Sequence, residues 1–133
     1  MPVVKVLFVC IGNSCRSQMA EGFARAYGKD VIAAASAGFS PAMMVAPLTK
    51  KVMIEKNINL DGQFPKALTE LGRESFDVVV NMSGIAFPRQ FAGAVREWKV
   101  DDPVSATEAV YRRVAAQIEG LVMKLILELR RRT

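Results

Sequence analysis

The sequence predicts an α/β fold, a single domain with an open, mainly parallel four-stranded sheet and helices on both faces. Apolar, β-branched runs alternate with segments of helical periodicity, and this alternation is typical of parallel βαβ units. With 133 residues, 51% of them hydrophobic, the chain suits one globular core. We therefore expect residues 1–133 to form one domain.

The first half of the chain predicts two strands and two helices. Residues 3–9 form an apolar run that indicates a buried strand, and helix formers at helical spacing begin at Ser17 and end near Gly28. Residues 31–36 indicate a weaker strand, because alanine is a poor strand former. Pro47 suits the first turn of the second helix.

The second half predicts a short helix at residues 65–72, strands at residues 76–82 and 97–100, and one long helix. The spacing of Ser105 and Glu108 predicts a capping box at the start of this last helix. Its apolar stripe consists of Val110, Val114, Ile118, Leu121, Leu125 and Leu129.

The loop after the first strand predicts an oxyanion-binding site. Its residues are Cys10, Ile11, Gly12, Asn13, Ser14, Cys15 and Arg16. Unpaired backbone amides and the helix dipole at a helix N-terminus favour a bound anion. Gly12 and Asn13 tolerate left-handed backbone angles, so successive amides can turn inward around it.

Cys10 and Arg16 indicate nucleophilic chemistry on a tetrahedral oxyanion. The dipole and Arg16 favour the thiolate form of Cys10 at the floor of the loop. The planar guanidinium of Arg16 can hold two oxygens of the anion, and hold them more tightly as charge develops. A cysteine at a strand end is often only a small core residue. The arginine, the glycine and the helix start together favour the catalytic interpretation.

Asp101 and Asp102 follow the fourth predicted strand and precede Pro103. The carboxyl ends of parallel strands share one edge of the sheet, so these acids should lie near the loop. A carboxyl group there can protonate the leaving group of a phosphoester. The same residues also suit an ordinary turn, but the nearby cysteine loop favours the catalytic role.

Composition argues against several other classes of protein. Both cysteines lie in the loop and the chain has no histidine, so we expect neither a disulfide framework nor a bound metal. We find no secretory signal and no apolar run of membrane length, and we expect a cytoplasmic protein without a membrane partner. The net charge of +5 favours an anionic ligand weakly. The arginines at 130–132 suit a solvated helix end better than nucleic-acid binding.

The chain resembles the low-molecular-weight protein tyrosine phosphatase superfamily in residues 10–21, 36–38 and 101–103, and the similarity spans essentially its whole length. The first of these motifs is similar in particular to that of the arsenate reductase branch. The resemblance implies that Cys10 forms a phosphocysteine or arseno-cysteine intermediate without a cofactor. It also implies that Arg16 and the loop amides bind the oxyanion.

The resemblance implies further roles. Asn13 would shape the loop, Ser17 would donate a hydrogen bond to the Cys10 thiolate, and Asp102 would be the general acid. Cys15 matches a second loop cysteine that some members oxidise to a reversible disulfide with the nucleophile, and a packing role for Cys15 is equally open.

Two departures from the superfamily narrow the implied activity. Thioredoxin-coupled arsenate reductases carry two further cysteines after the third strand, whereas residues 81–89 contain none. Phosphotyrosine phosphatases place aromatic residues after the Asp-Pro pair, where this chain has Val104, Ser105 and Ala106.

We therefore expect a phosphomonoester hydrolase of the protein tyrosine phosphatase type. The alternative is an arsenate reductase that uses an external low-molecular thiol such as glutathione or mycothiol. A non-catalytic oxyanion or phosphoprotein binder is a third possibility, against which intact Cys10, Arg16 and Asp102 argue. The expected partners are a phosphate or arsenate oxyanion, a phosphorylated protein and a small thiol.

Overall fold

The structure, a computed structural model, describes residues 3–71, 74–88 and 92–132. These residues contain four strands, which are β1 (Val4–Cys10), β2 (Ile32–Gly38), β3 (Phe76–Asn81) and β4 (Ala92–Glu97). They also contain three α-helices, α1 (Arg16–Tyr27), α2 (Pro47–Ile54) and α3 (Glu108–Arg131), and a 3-10 helix at Leu68–Leu71. None of the helices in these ranges has the length and apolar character that crossing a membrane requires.

All four strands pair in parallel, in the order β2-β1-β3-β4. The interior strand β1 places Cys10 opposite Gly38 of β2 and Val9 opposite Asn81 of β3. The chain leaves β1 towards β2 and later returns to its other side as β3. Open parallel sheets bind ligands at the carboxyl ends of the strands where the order reverses in this way. The predicted fold class is confirmed, and the loop after β1 lies at that point of the sheet.

Side chains of β1 alternate between the two faces of the sheet, as the period of a strand requires. Val6 and Phe8 join the larger core, which contains the buried sides of all three α-helices. Leu7 and Val9 join a smaller cluster on the opposite face, to which the 3-10 helix contributes Leu68. The strand that ends at the site is therefore buried on both faces, and it gives the loop a rigid base.

The fourth strand begins earlier than the sequence predicts. The prediction of a strand at residues 97–100 is wrong, because the strand is Ala92–Glu97 and the chain leaves the sheet after it. Alanine and glycine at positions 92–94 are poor strand formers, so β4 depends on its pairing with β3 rather than on local propensity. Trp98 packs instead on Phe8, with 6.0 Å between the ring centroids.

Two helices differ from their predictions. The predicted capping box of α3 is wrong, because Thr107 is the cap and its Oγ1 accepts a hydrogen bond from the amide of Val110 at 3.4 Å. Ser105 lies in the turn before the helix, with a φ of 64°. A capping residue must directly precede the first helical residue, Glu108, and Ser105 lies two residues before that position. The short helix predicted at residues 65–72 is the 3-10 helix, and the last predicted residue lies outside the described ranges.

Thr49 allows a test of the core around α2. Its side chain is fully buried, and its Oγ1 has no hydrogen-bond partner among the described residues. A buried hydroxyl without a partner costs about 1–3 kcal/mol. Thr49→Val keeps the shape of the side chain and removes the hydroxyl, so we expect the free energy of unfolding in urea to rise by about 1 kcal/mol.

Thr107→Val is the matched control, because it removes the hydroxyl that caps α3. This variant should lose about 1 kcal/mol of stability. A loss of stability for Thr49→Val as well would mean that the Thr49 hydroxyl is hydrogen-bonded in solution.

Candidate active site

The loop between β1 and α1 turns its peptide groups in a uniform direction. Each of the six carbonyl oxygens from residue 10 to residue 15 accepts a hydrogen bond from outside the loop, at 2.9–3.3 Å. The donors are the backbone amides of Phe39, Ser40, Ala42, Ala46 and Met19 and, for Asn13, the side-chain amide of Gln18. The N–H of a trans peptide points away from its C=O, so the amides of residues 11–16 face the interior of the loop. In the described part of the chain, none of these amides has a protein acceptor.

Two backbone positions allow this arrangement. Asn13 adopts the left-handed conformation, with a φ of 50°. Gly38 lies against the loop, and a Cβ atom there would lie 2.6 Å from the Ile11 carbonyl oxygen and 2.9 Å from the Asn13 amide nitrogen. Glycine is therefore required at this end of β2.

Cys10 lies at the floor of the loop, with only 3% of its surface exposed. Its Sγ lies 2.8 Å from the Oγ of Ser17, in the first turn of α1. The side-chain amide of Asn13 donates to the same Oγ at 2.7 Å, so the hydroxyl hydrogen of Ser17 is free to point at the sulfur. The contact distance allows the hydrogen bond from Ser17 to the Cys10 sulfur, and the role predicted for Ser17 stays a prediction.

Arg16, the last residue of the loop and the first of α1, is buried. Backbone carbonyls from two other segments hold its guanidinium. Its Nη1 donates to the carbonyl oxygen of Met82, just after β3, and to that of Val100 at 3.1 Å. Its Nη2 lies 3.5 Å from Oδ2 of Asp102, and its Nε has no partner among the described residues. The edge of the guanidinium formed by Nε and Nη2 therefore keeps donors for a bound anion, which is the edge that grips oxyanions in a bidentate manner.

A cavity of about 280 Å³ opens above the sulfur. It is lined by Cys10, Ile11, Gly12, Ser14, Cys15, Arg16, Ala42, Asp102 and Val104. The volume accommodates a small tetrahedral oxyanion, and the inward amides and the arginine supply the donors. No aromatic residue is among the lining residues that the structure describes.

The two neighbouring acids differ in their relation to this cavity. Asp102 lines it with a side chain that is 42% exposed, and its Oδ1 accepts from the amide of Val104 at 3.1 Å. Asp101 is 85% exposed and lies 3.9 Å from Arg113, on the outer surface. The structure thus places Asp102, and not Asp101, at the cavity.

Cys15 lies between the cavity and the core. Its Sγ donates to the hydroxyl of Tyr111 on α3 at 3.7 Å and lies 3.6 Å from the Oγ of Ser14. Burial and the contact with Cys15 raise the pKa of Tyr111 to about 12, so its hydroxyl stays neutral. Both cysteines are free thiols, and a disulfide between Cys10 and Cys15 stays a prediction.

Several groups that support the site were not predicted from the sequence. These are the Met82 and Val100 carbonyl groups, and the side chains of Gln18 and Tyr111. A carbonyl leaves no mark in a sequence, because every residue carries one. Gln18 gives one weak signal in the sequence. It is a polar residue directly before Met19 in a helix turn that packs on β1, and a polar residue at such a position needs a hydrogen-bond partner.

The fold and this site together define a cysteine-dependent enzyme that binds an oxyanion. Residues 5–133 match the family described as low molecular weight phosphotyrosine protein phosphatase, and the chain belongs to this family.

Several similar proteins are arsenate reductases. The chain is 34% identical over 129 residues to the glutaredoxin arsenate reductase of Synechocystis sp., and the match covers 94% of this chain and 98% of the relative. It is 37% identical to the arsenate reductase of Bacillus subtilis, over 85% of this chain and 88% of the relative. A solved arsenate reductase in the phosphate binding state superposes with a TM-score of 0.88 at 34% identity, over 96% of this chain and 99% of that one.

Proposed function

We propose that the protein reduces arsenate to arsenite and takes the electrons from an external thiol. The loop of residues 10–16, called the cradle from here on, carries this proposal. The Cys10 sulfur lies at its floor beneath inward amides, and Nε of Arg16 has no partner among the described residues. Arsenate and phosphate have the same shape and charge, so the cradle alone suits both. The activity named for the relatives favours arsenate. A cavity without an aromatic lining residue among those described also offers a phenyl ester little to stack on.

Arsenate reduction proceeds in three steps. The Cys10 thiolate attacks arsenic and an S–As bond forms, while the As–O bond to one hydroxyl group breaks and that hydroxyl takes up a proton from solvent and leaves as water. The sulfur of a thiol then attacks Cys10 Sγ, the S–As bond breaks, and its electron pair stays on arsenic, which leaves as arsenite. A second thiol attacks the resulting mixed disulfide, which releases the Cys10 thiolate and the oxidised thiol pair. Arsenic gains two electrons, and the two thiols supply one each.

The thiols come from outside the chain. The sequence has two cysteines, both in the loop, and Cys15 is engaged with Tyr111. No cysteine follows β3, so the chain has no second pair that could relay the electrons. Glutathione or mycothiol, or a glutaredoxin as in the name of the Synechocystis relative, supplies the class of thiol that the reaction needs.

An assay of arsenite formation tests this function. The parent protein is incubated with arsenate and, in parallel, with glutathione, with mycothiol and with glutathione plus glutaredoxin. We expect arsenite to appear only when a thiol is present, and oxidised thiol to appear in equal amount. Phosphate should inhibit by competing for the cradle. A protein that forms no arsenite with any of these thiols would not be an arsenate reductase.

Hydrolysis of phosphomonoesters is a second candidate function, and the position of Asp102 favours it. The carboxylate lies at the cavity and 3.5 Å from Arg16, where an ester oxygen would leave. In-line attack by Cys10 would give a phosphocysteine, and Asp102 would protonate the leaving group and then activate water. Hydrolysis of p-nitrophenyl phosphate without any thiol tests this activity directly. A protein that binds phosphate but shows neither activity would be a non-catalytic binder.

Asp102→Asn should slow any phosphoester hydrolysis by about 10²-fold, because an amide cannot donate the proton that the leaving group needs. The loss should be larger for an alkyl phosphate than for p-nitrophenyl phosphate, since an alkoxide leaves less readily without a proton. Asp101→Asn is the matched control on the outer surface and should leave the rate unchanged. Equal rates for both variants with both esters would remove Asp102 from the mechanism.

A further inference from the structure

Gln18 fixes the direction of one peptide in the oxyanion loop. Five of the six outward carbonyls are held by backbone amides, and only that of Asn13 is held by a side chain among the described residues. Gln18 is fully buried in the first turn of α1. Its Nε2 donates to the carbonyl oxygen of Asn13 at 2.9 Å and to that of Phe64 at 3.1 Å. Both hydrogens of this amide are therefore used.

The Asn13 peptide depends on this support, because no backbone amide among the described residues holds its carbonyl oxygen. Asn13 has a φ of 50°, the left-handed conformation, which asparagine tolerates better than most residues with a Cβ atom. Its side chain is held on two sides, because Nδ2 donates to Ser17 and Oδ1 accepts from the amide of Lys66 at 2.9 Å. Neither of these side-chain bonds holds the following peptide, whose carbonyl oxygen accepts from Gln18. A rotated peptide would turn the amide of Ser14 out of the cradle and bring a carbonyl oxygen into it.

Gln63 in turn fixes the orientation of Gln18. Its Nε2 donates to Oε1 of Gln18 at 2.8 Å and to the backbone oxygen of Gln18 at 3.2 Å. Because Oε1 faces this donor, Nε2 must face Asn13. A chain of contacts thus runs from Gln63 through Gln18 to Asn13, and from there through Ser17 to the Cys10 sulfur.

We propose that Gln18 is a positioning residue that aims the Ser14 amide at the bound oxyanion, with Gln63 holding it in place. The proposal rests on Cys10 facing an oxyanion, which both candidate functions share. It adds a determinant of anion affinity that touches neither the anion nor the sulfur.

Gln18→Met tests the proposal, because methionine has a similar length and no donor. We expect calorimetry to show about tenfold weaker binding of inorganic phosphate. We expect kcat/KM for arsenate reduction to fall about 10-fold to 100-fold. The rate of iodoacetamide alkylation of Cys10, followed by peptide mass spectrometry at one pH, should fall, because one peptide dipole directed into the loop is lost. Gln63→Met leaves both donors of Gln18 in place and should shift the same readouts by only a few-fold.

Val122→Ala is the control for general loss of stability, since Val122 is fully buried on α3 and far from the loop in the chain. It should lower the melting temperature and leave phosphate affinity and the alkylation rate unchanged. If Gln18→Met behaves like Val122→Ala in both readouts, the proposal is wrong. If Gln18→Met does not fold, Gln63→Met decides, and unchanged phosphate affinity there would overturn the proposal. Phosphate binding is measured without turnover, so a failure of the proposed reaction does not affect this test.

Discussion

Cys10→Ser should lower the rates of arsenate reduction and of any phosphoester hydrolysis by about 10⁴-fold or more, while phosphate still binds. A serine hydroxyl stays protonated near neutral pH, so the attacking anion is lost. An oxygen at this position also cannot form the mixed disulfide through which arsenic receives its electrons. In the proposed site the amides and Arg16 hold the oxyanion independently of the sulfur, so we expect binding to remain.

Three measurements check this expectation on one preparation: arsenite formation with glutathione, p-nitrophenyl phosphate hydrolysis, and phosphate affinity by calorimetry. Removal of the thiolate charge should leave phosphate affinity equal to that of the parent or higher, because a negative neighbour is gone. Thr49→Val changes a buried hydroxyl in α2 that has no hydrogen-bond partner among the described residues, and it should keep full turnover. Arsenite formation by Cys10→Ser at the parent rate would place the nucleophile elsewhere, with Cys15 as the remaining thiol.

The site could be predicted from the sequence to the extent that its parts are close along the chain. The nucleophile, the arginine and the amides lie within residues 10–16, between a strand and a helix that each have a clear pattern of their own. The same local pattern places Ser17 one residue after the arginine, and the structure sets its Oγ beside the Cys10 sulfur. Asp102 could be placed at the correct edge because the carboxyl ends of parallel strands share one side of a sheet.

The remaining parts depend on contacts between distant segments. Arg16 is oriented by carbonyls 66 and 84 residues away, and the loop is shaped by Gly38 of the neighbouring strand. β4 was misplaced for the same reason, because Gly93 and its neighbouring alanines form a strand only through pairing with β3. Local propensity does not reveal such contacts, whereas the topology of the sheet does.

Arg16→Lys should lower kcat/KM for arsenate by about 10³-fold, although the charge is conserved. The guanidinium divides its donors between two tasks: Nη1 holds the Met82 and Val100 carbonyls, whereas Nε has no partner among the described residues and, with Nη2, remains for the anion. A lysine ammonium has three donors at a single point, so it can satisfy the carbonyls or the anion but not both. The cost should be greatest in the transition state, where charge on the oxygens is largest, so kcat should fall more than phosphate affinity.

Steady-state kinetics of arsenate reduction and calorimetry with phosphate separate these two effects. Arg113→Lys is the matched control, because Arg113 is 67% exposed and its one charged contact, with Asp101, is long at 3.9 Å among the described residues. Both kcat and phosphate affinity should stay at the parent values. If Arg16→Lys retained kcat and lost only phosphate affinity, Arg16 would bind ground state and transition state alike. In that case the inward amides alone would stabilise the transition state more than the ground state. The orientation of each loop peptide would then matter more for catalysis than the arginine.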